Sequence, residues 1–415
     1  MHKPARFFLS LLGAAVFGAA AAQSVITWSY WGDPGELPPN LEVIAQFEAA
    51  NPDIIIETQH APWSSYFDRL QTQWAGGVSP DVMFLNNVPS YASRGVLATL
   101  DDLVEESGFD ISGYHPEMLR IFMLDGNLYG FPRDNDTTVL YYNMDLFDEA
   151  GVAYPDDTWH WDDLREAAAA LTVKDAAGRT LQYGVALEAN KYPNWVHQNG
   201  GLIFDDPLEP TTFHLAEQPA TDAIQFIADL INVDGSAPSF DAQQQMGSTT
   251  ELFSTGRVAM VMTNAARVPT FMDSGFNWNV APLPMGPTGT RANTLGGAGY
   301  VMAASPGDQE AAWRFLQFLS GPEGHAVFAS TGLAVPALTT PETAEAFISA
   351  MPEGIHAQVF IDETAHGMLN PNFPNWREIE TTLVTPALDL VWNGEQTAAE
   401  ALAAIEAQVQ AFLDR

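Results

Sequence analysis

No cysteine occurs among the 415 residues, which excludes disulfides, thiolate metal sites and cysteine nucleophiles and leaves the core to hold itself together without crosslinks. It also excludes a lipoprotein anchor, which needs a cysteine at the cleavage point. Basic residues are scarce: 16 Lys and Arg stand against 52 Asp and Glu, a formal net charge of −36. So acidic a surface repels nucleic acid and acidic membranes, and both are excluded as primary partners. The nine histidines show no His-x-x-x-His or His-Glu-x-x-His spacing, so no metal centre is indicated. A Gly-x-Ser-x-Gly elbow and a phosphate loop ending in Lys-Ser/Thr are missing too. No cofactor is implied.

Long apolar runs are also few. Phe7 to Phe17 is too short for a comfortable membrane span, but Lys3 and Arg6 precede it and Gly18-Ala-Ala-Ala-Ala22-Gln23 follows. That three-part layout reads as a signal peptide over residues 1–22, cleaved after Ala22. A retained amphipathic anchor would need a polar face repeating at helical spacing, which is absent here. Without a lipid anchor, a second membrane is what would confine the exported chain, so the expected address is the periplasm, with free secretion as the alternative. The length suits two or three domains. The 11 tryptophans commonly fall beside Gly, Pro or Asn, where an aromatic face can meet a ligand.

Strand and helix signals alternate from the start. Val25–Tyr30, Ile54–Thr58 and Asp81–Leu85 read as strands, with helical periodicity over Leu41–Ala50 and Ser64–Trp74 between them. Such units imply a parallel sheet with helices on its faces, and ligands collect at the carboxyl ends of its strands. Trp31, Asp33, Trp63, Asn86 and Asn87 fall at or just after those ends. A second unit begins near Thr137, with a helix opening at Thr158-Trp-His-Trp-Asp-Asp-Leu, a strand over Gln182–Leu187, a helix over Thr221–Val233 and a buried strand over Val258–Met262.

Three segments read as crossings between the units. The first is Leu128-Tyr-Gly-Phe-Pro-Arg-Asp-Asn-Asp136, where Pro132 ends a ladder and four polar residues precede another apolar strand. The second is Asn277–Pro284 and the third Leu333–Pro336. The fold expected is α/β, with two discontinuous lobes: 23–134 plus 284–333, and 135–283 plus 334–415. Clefts between lobes are where small ligands bind. Asp134 and Asp136 lie on the first crossing, and a carboxylate there accepts two hydroxyls at once; their plainer reading is as turn residues. Asp134-Asn-Asp-Thr137 also has the form of a phosphotransferase nucleophile motif, but that needs a buried strand running into its first Asp, and Pro132-Arg133 interrupts it. Asn86 and Asn87 either terminate a strand or offer amides that donate and accept together, as a hydroxyl does. Trp31, Trp63, Trp195 and Trp376 are either core aromatics or stacking faces for a ligand. Gly297, in the run Gly296-Gly-Ala-Gly299, either allows close strand packing or lets backbone amides approach a ligand. Asn264 and Arg267 follow the buried strand, and Arg267 and Arg377 would pair with an acid of the opposite lobe or with an acidic ligand.

Six segments in order resemble the extracellular sugar-binding proteins that feed ABC importers, related to maltose-binding protein: Phe47–Asp53, Ser79–Leu85 with Gly95–Leu100, Leu128–Pro132 with Leu140–Asn143, Thr158–Leu164, Phe253–Met260 and Ala312–Leu316. The resemblance spans nearly the whole chain after the leader. It implies a periplasmic-binding-protein fold with a three-crossing hinge, whose lobes close on a sugar and then dock on permease subunits in the inner membrane; the receptor is expected to be a monomer and not an enzyme. By position it implies that Asp136 meets sugar hydroxyls, that Trp376 stacks on the ring, and that Asn86 and Asn87 occupy a contact loop. Ala265-Ala266-Arg267 departs from the pattern, since the relative places a stacking aromatic there, which favours a ligand other than maltodextrin. Two alternatives stand beside sugar capture: a receptor for glycerol 3-phosphate or a polyol, and a secreted glycoside hydrolase, which requires two carboxylates on opposing walls.

Overall fold

The computed structural model describes residues 23–32, 37–373 and 375–414. The leader, residues 1–22, and Asp33 lie outside the described residues. Two five-stranded sheets organise the chain. In the first, Ser24–Trp31 runs parallel to Ile54–Ala61, Ser24 opposite Ile54 and Trp31 opposite Ala61, and parallel to Val82–Leu85 on its other side. Gly299–Met302 then pairs antiparallel with Val82–Leu85 and with Gly130–Pro132. All four residues of Val82–Leu85 are buried because helices cover both faces of this central strand. Leu37–Ala50 turns Val43, Ile44 and Phe47 inward, and Gln309–Ser320 turns in Trp313, Phe315, Leu316 and Leu319. The Asp308 carboxylate caps the latter helix by accepting from the Ala311 amide at 3.1 Å.

The second sheet is ordered Trp278–Ala281, Val139–Asn143, Val258–Thr263, Thr180–Ala186, Val173–Lys174. Val139–Asn143 is buried throughout and antiparallel to both neighbours. Its side chains alternate between two cores: Leu140 and Tyr142 join Trp161, Val185 and Ile224 on one face, whereas Val139 and Tyr141 join Phe253, Phe271 and Phe360 on the other. At the strand's end Asn143 caps the helix Met144–Ala150, its side-chain oxygen accepting from the Leu146 amide at 3.1 Å.

Three crossings join the lobes. The first, from Arg133 to Thr138, is met by Val335–Pro336, which pairs antiparallel with Asp134–Asn135. The third is not at Leu333–Pro336, since Ala337 and Leu338, just after it, still pack in the first-lobe core. The second also differs from the sequence reading. Trp278–Ala281 is an edge strand of the second sheet, Met285 exchanges backbone hydrogen bonds with Trp159 and Trp161, and Gln198 Nε2 donates to the Ala292 carbonyl at 3.0 Å. Residues 284–292 therefore pack on the second lobe, and the passage to the first lobe is made at 293–298. Prolines after an apolar strand announce the end of that strand; pairing with Val139–Asn143 decides which sheet it belongs to. Asn293–Leu295 also runs parallel to Gly367–Leu369 beside the hinge.

Candidate functional site

A cavity of about 680 Å³ opens between the lobes over the crossings. Trp31, Trp63 and Asn86 line it from the first lobe and Ala266 and Arg267 from the second, while Arg133–Asp136 and Gly296–Ala298 lie between them. Trp31 ends its strand with its ring against Phe84 (4.3 Å), Trp63 (4.9 Å) and Tyr66 (5.3 Å). Trp63 opens the helix Trp63–Ala75 and is 53% exposed, its ring steadied edge-on by Trp31 and Phe67. A large aromatic face held open to solvent in a cleft is costly for the empty protein and suited to a flat apolar partner.

Below this wall the Arg133 guanidinium lies over the ring of Phe84 at 4.1 Å and of Phe328 at 5.0 Å, and its Nε donates to Asp134 Oδ2 at 2.7 Å. Asp134 Oδ1 accepts the Ala298 amide at 3.2 Å. Both carboxylate oxygens of Asp134 are thus engaged, Oδ2 in holding Arg133 within the first crossing and Oδ1 in tying that crossing to the second. Its place on the cavity is as the sequence reading has it, but its chemistry is structural. Gly297 stands against the same residue: a Cβ there would lie 2.2 Å from the Asp134 carbonyl, so only glycine lets the two crossings touch.

Asp136 is different. Its side chain is half exposed, it accepts from Asn264 Nδ2, and Lys191 Nζ lies 3.9 Å away. Asn264 is positioned from behind by the Tyr141 hydroxyl, which donates to its carbonyl at 2.9 Å, and its side-chain oxygen is buried with no partner among the described residues. Asn135, almost fully buried, likewise presents an unpartnered side-chain oxygen while its Nδ2 donates to Thr364 Oγ1 at 3.1 Å. The floor and second-lobe wall therefore carry donors and acceptors side by side, the pattern that matches hydroxyls. Asp134 and Asp136 are the carboxylates among the described residues lining this cavity, and they lie on one segment rather than on facing walls.

A second cavity, about 540 Å³, continues along the cleft between Asn87, Ser90 and Arg94 of the first lobe and Asn372, Trp376 and Arg377 of the second. A smaller one of about 190 Å³ touches Gly296 and Gly297 of the first cavity and Asn87 and Asn372 of the second, making one trough. Asn87 sits at φ 48° where the strand Val82–Leu85 turns into the next helix, which separates its side chain from that of Asn86. Trp376 packs edge-on against Phe204 at 5.5 Å and leaves part of its ring to the cavity.

The structure thus brings Trp31, Trp63, Asn86, Asp134, Asp136, Arg267 and Gly297 to one chamber and Asn87, Trp376 and Arg377 to the next, with Asn264 behind Asp136. Trp195 is the correction. It is 4% exposed in the second-lobe core, 5.2 Å from Trp161 and 5.7 Å from Phe226. Tyr192-Pro-Asn-Trp looks like a loop in sequence, but it forms the first turn of a fully buried helix, Tyr192–Gln198. Sequence reading also passes over Arg94, Lys191 and Phe328, and takes Arg133 and Asn135 only as polar residues of the first crossing. Arg133 and Asn135 sit inside the first crossing and share its signal, whereas nothing local marks Arg94 or Phe328.

Comparison with known proteins agrees with this architecture. Residues 39–326 match the bacterial extracellular solute-binding protein family. The sn-glycerol-3-phosphate-binding periplasmic protein UgpB of Escherichia coli is 26% identical over 436 residues, covering 96% of this chain and 95% of that protein. The galactooligosaccharide-binding protein of Bacillus subtilis is 23% identical over 381 residues, covering 90% and 86%. An ABC substrate-binding protein from Listeria monocytogenes, solved in complex with cycloalternan, superposes with a TM-score of 0.78 at 28% identity, covering 94% of this chain and 99% of that one. With a profile match over more than half its length and the two-lobed fold around a cleft, the chain belongs to the bacterial extracellular solute-binding protein family.

Proposed function

We propose that this protein is a periplasmic carbohydrate receptor that captures a sugar between its lobes and delivers it to the permease of an ABC importer, without altering it. The observation that carries this reading is the exposed Trp63 face on the first-lobe wall of a chamber whose second-lobe side holds the Asp136–Asn264 pair. A pyranose has an apolar face for the first and equatorial hydroxyls for the second. Closure brings the two walls onto opposite sides of the ligand. A micromolar ligand supplies about 8 kcal/mol, ample for an open–closed equilibrium of a few kcal/mol. The relatives named for galactooligosaccharide and seen with cycloalternan support a carbohydrate ligand. Binding without turnover is supported by the commitment of Asp134 to Arg133, which leaves Asp136 as the other carboxylate lining this chamber among the described residues, where hydrolysis needs two on opposing walls. Cleavage after Ala22, action as a monomer, and movement of the lobes about the three crossings complete the proposal.

The test is a tryptophan-fluorescence titration of the purified protein with mono- and oligosaccharides, with chromatography of the recovered ligand. A saturable change with the sugar returned intact is the expected result. Cleaved sugar would overturn the receptor reading, and no response to any saccharide would overturn the ligand class.

A further inference from the structure

Cations are concentrated in the cleft of an otherwise acidic molecule. Thirteen of the 16 lysines and arginines fall within the described residues, and five of them, Arg94, Arg120, Arg133, Arg267 and Arg377, line the three joined cavities. Of the 52 acids, the described ones that line the same cavities are Asp125, Asp134, Asp136 and Glu209. Arg133 is matched by Asp134, and Arg120 by Glu117 at 3.0 Å and Asp206 at 2.7 Å. Arg94, Arg267 and Arg377 have no ion-pair partner among the described residues; Arg69, Lys174 and Arg257 have none either, but lie away from these cavities. Three exposed guanidiniums without an ion-pair partner, gathered along one trough, are donors available to a ligand there.

We infer that the ligand is an anionic carbohydrate, its carboxylate or phosphate ester held in the second chamber between Arg94 of the first lobe and Arg377 of the second. This rests on the carbohydrate reading above and narrows it. The chamber supplies what such a group needs: two guanidiniums from opposite walls, neutral donors from Ser90, Asn87 and Asn372, and the Trp376 face for the ring that bears the charge. Asp125 and Glu209 share the rim, so the empty chamber is near neutral and the anion is read at short range by hydrogen-bonded guanidinium rather than drawn in by a long-range field. Placing one arginine on each lobe also couples charge to closure. An anion bridges the two walls, whereas a neutral ring leaves two like charges approaching each other as the lobes close.

The experiment is calorimetric titration with matched pairs at low ionic strength: galacturonate oligomers against galactose oligomers, glucuronate against glucose, glucose 6-phosphate against glucose, and glycerol 3-phosphate against glycerol. At least one acidic member should bind about tenfold or more tighter than its neutral partner, as one or two charge-assisted hydrogen bonds allow. The uronate and phosphate arms identify which anion is used. Arg94→Ala with Arg377→Ala should shrink that ratio to about threefold or less with unchanged circular dichroism, and Arg377→Lys should restore part of it. Neutral members binding as tightly as acidic ones, or a preference that survives the double substitution, would overturn the inference and leave the carbohydrate reading standing. Binding by no member of any pair would overturn both.

Discussion

At the residue scale, the same amino acid is put to opposite uses at Trp63 and Trp195. Both lie beside prolines in segments that read as loops, yet one is 53% exposed at the cleft and the other 4% exposed in the core. Trp63→Ala is expected to weaken sugar binding by about tenfold, the value of one lost aromatic stack, while the unfolding midpoint moves little. Trp195→Ala is expected to cost about 3–5 kcal/mol of stability through the cavity it leaves beside Trp161 and Phe226, with affinity retained in the folded fraction. Paired calorimetric titration and urea unfolding separate the two; a stability loss at Trp63 as large as that at Trp195 would sink the assignment. The aspartates divide in the same way. Asp134 and Asp136 are two positions apart, which on a continuous strand would set them on one face, but the strand ends at Asn135, and one carboxylate goes to Arg133 and the Ala298 amide and the other to Asn264.

At the scale of elements, the hinge carries a buried polar network. Asn293 Oδ1 accepts the Thr138 amide at 3.0 Å, and its Nδ2 donates to Glu363 Oε2 at 2.8 Å, so the first and second crossings and the turn before Gly367–Leu369 share one side chain. Burial pushes the Glu363 carboxyl up to about 7, against the lowering effects of the Asn293 hydrogen bond and of Arg291, whose Nε lies 3.8 Å away. A carboxyl whose affinity for protons is raised by folding contributes stability that is full below its unfolded value of 4.5 and is lost as pH rises through about 7. Glu363→Gln keeps an acceptor for Asn293 and removes the titration. Its stability should therefore exceed that of the parent by roughly 3 kcal/mol near pH 8 and by little near pH 5. Urea unfolding of both proteins across that range checks this, and parallel curves would refute it. The crossings also show where local pattern fails: an apolar strand followed by prolines marks a boundary at Asn277–Pro284, but the register of Trp278–Ala281 on Val139–Asn143 puts the actual passage at 293–298.

At the scale of the whole molecule, function lies in the relation between two lobes whose cores are separate. Ligand should draw the lobes together without changing either core, so the radius of gyration measured by small-angle scattering should fall on addition of saturating sugar while the mass stays that of one chain; an unchanged radius would refute closure. The sequence by itself determined the α/β class, the repeating strand and helix units of the first lobe, the first crossing, and the placement of aromatic and amide residues at strand ends. These are local: they follow from apolar periodicity, from Pro and Gly at element ends, and from the rule that ligands meet the carboxyl ends of strands. The third crossing is not where the sequence reading puts it, since Ala337 and Leu338, just after Leu333–Pro336, still pack in the first-lobe core. Only the tertiary structure decided that Trp195 is core, that Asp134 is consumed by Arg133, that Arg94 and Arg377 face one chamber from different lobes, and that Phe328 caps Arg133 from nearly two hundred residues away. Each of those depends on which surfaces meet when distant segments pack, and packing partners leave no periodic mark on either segment.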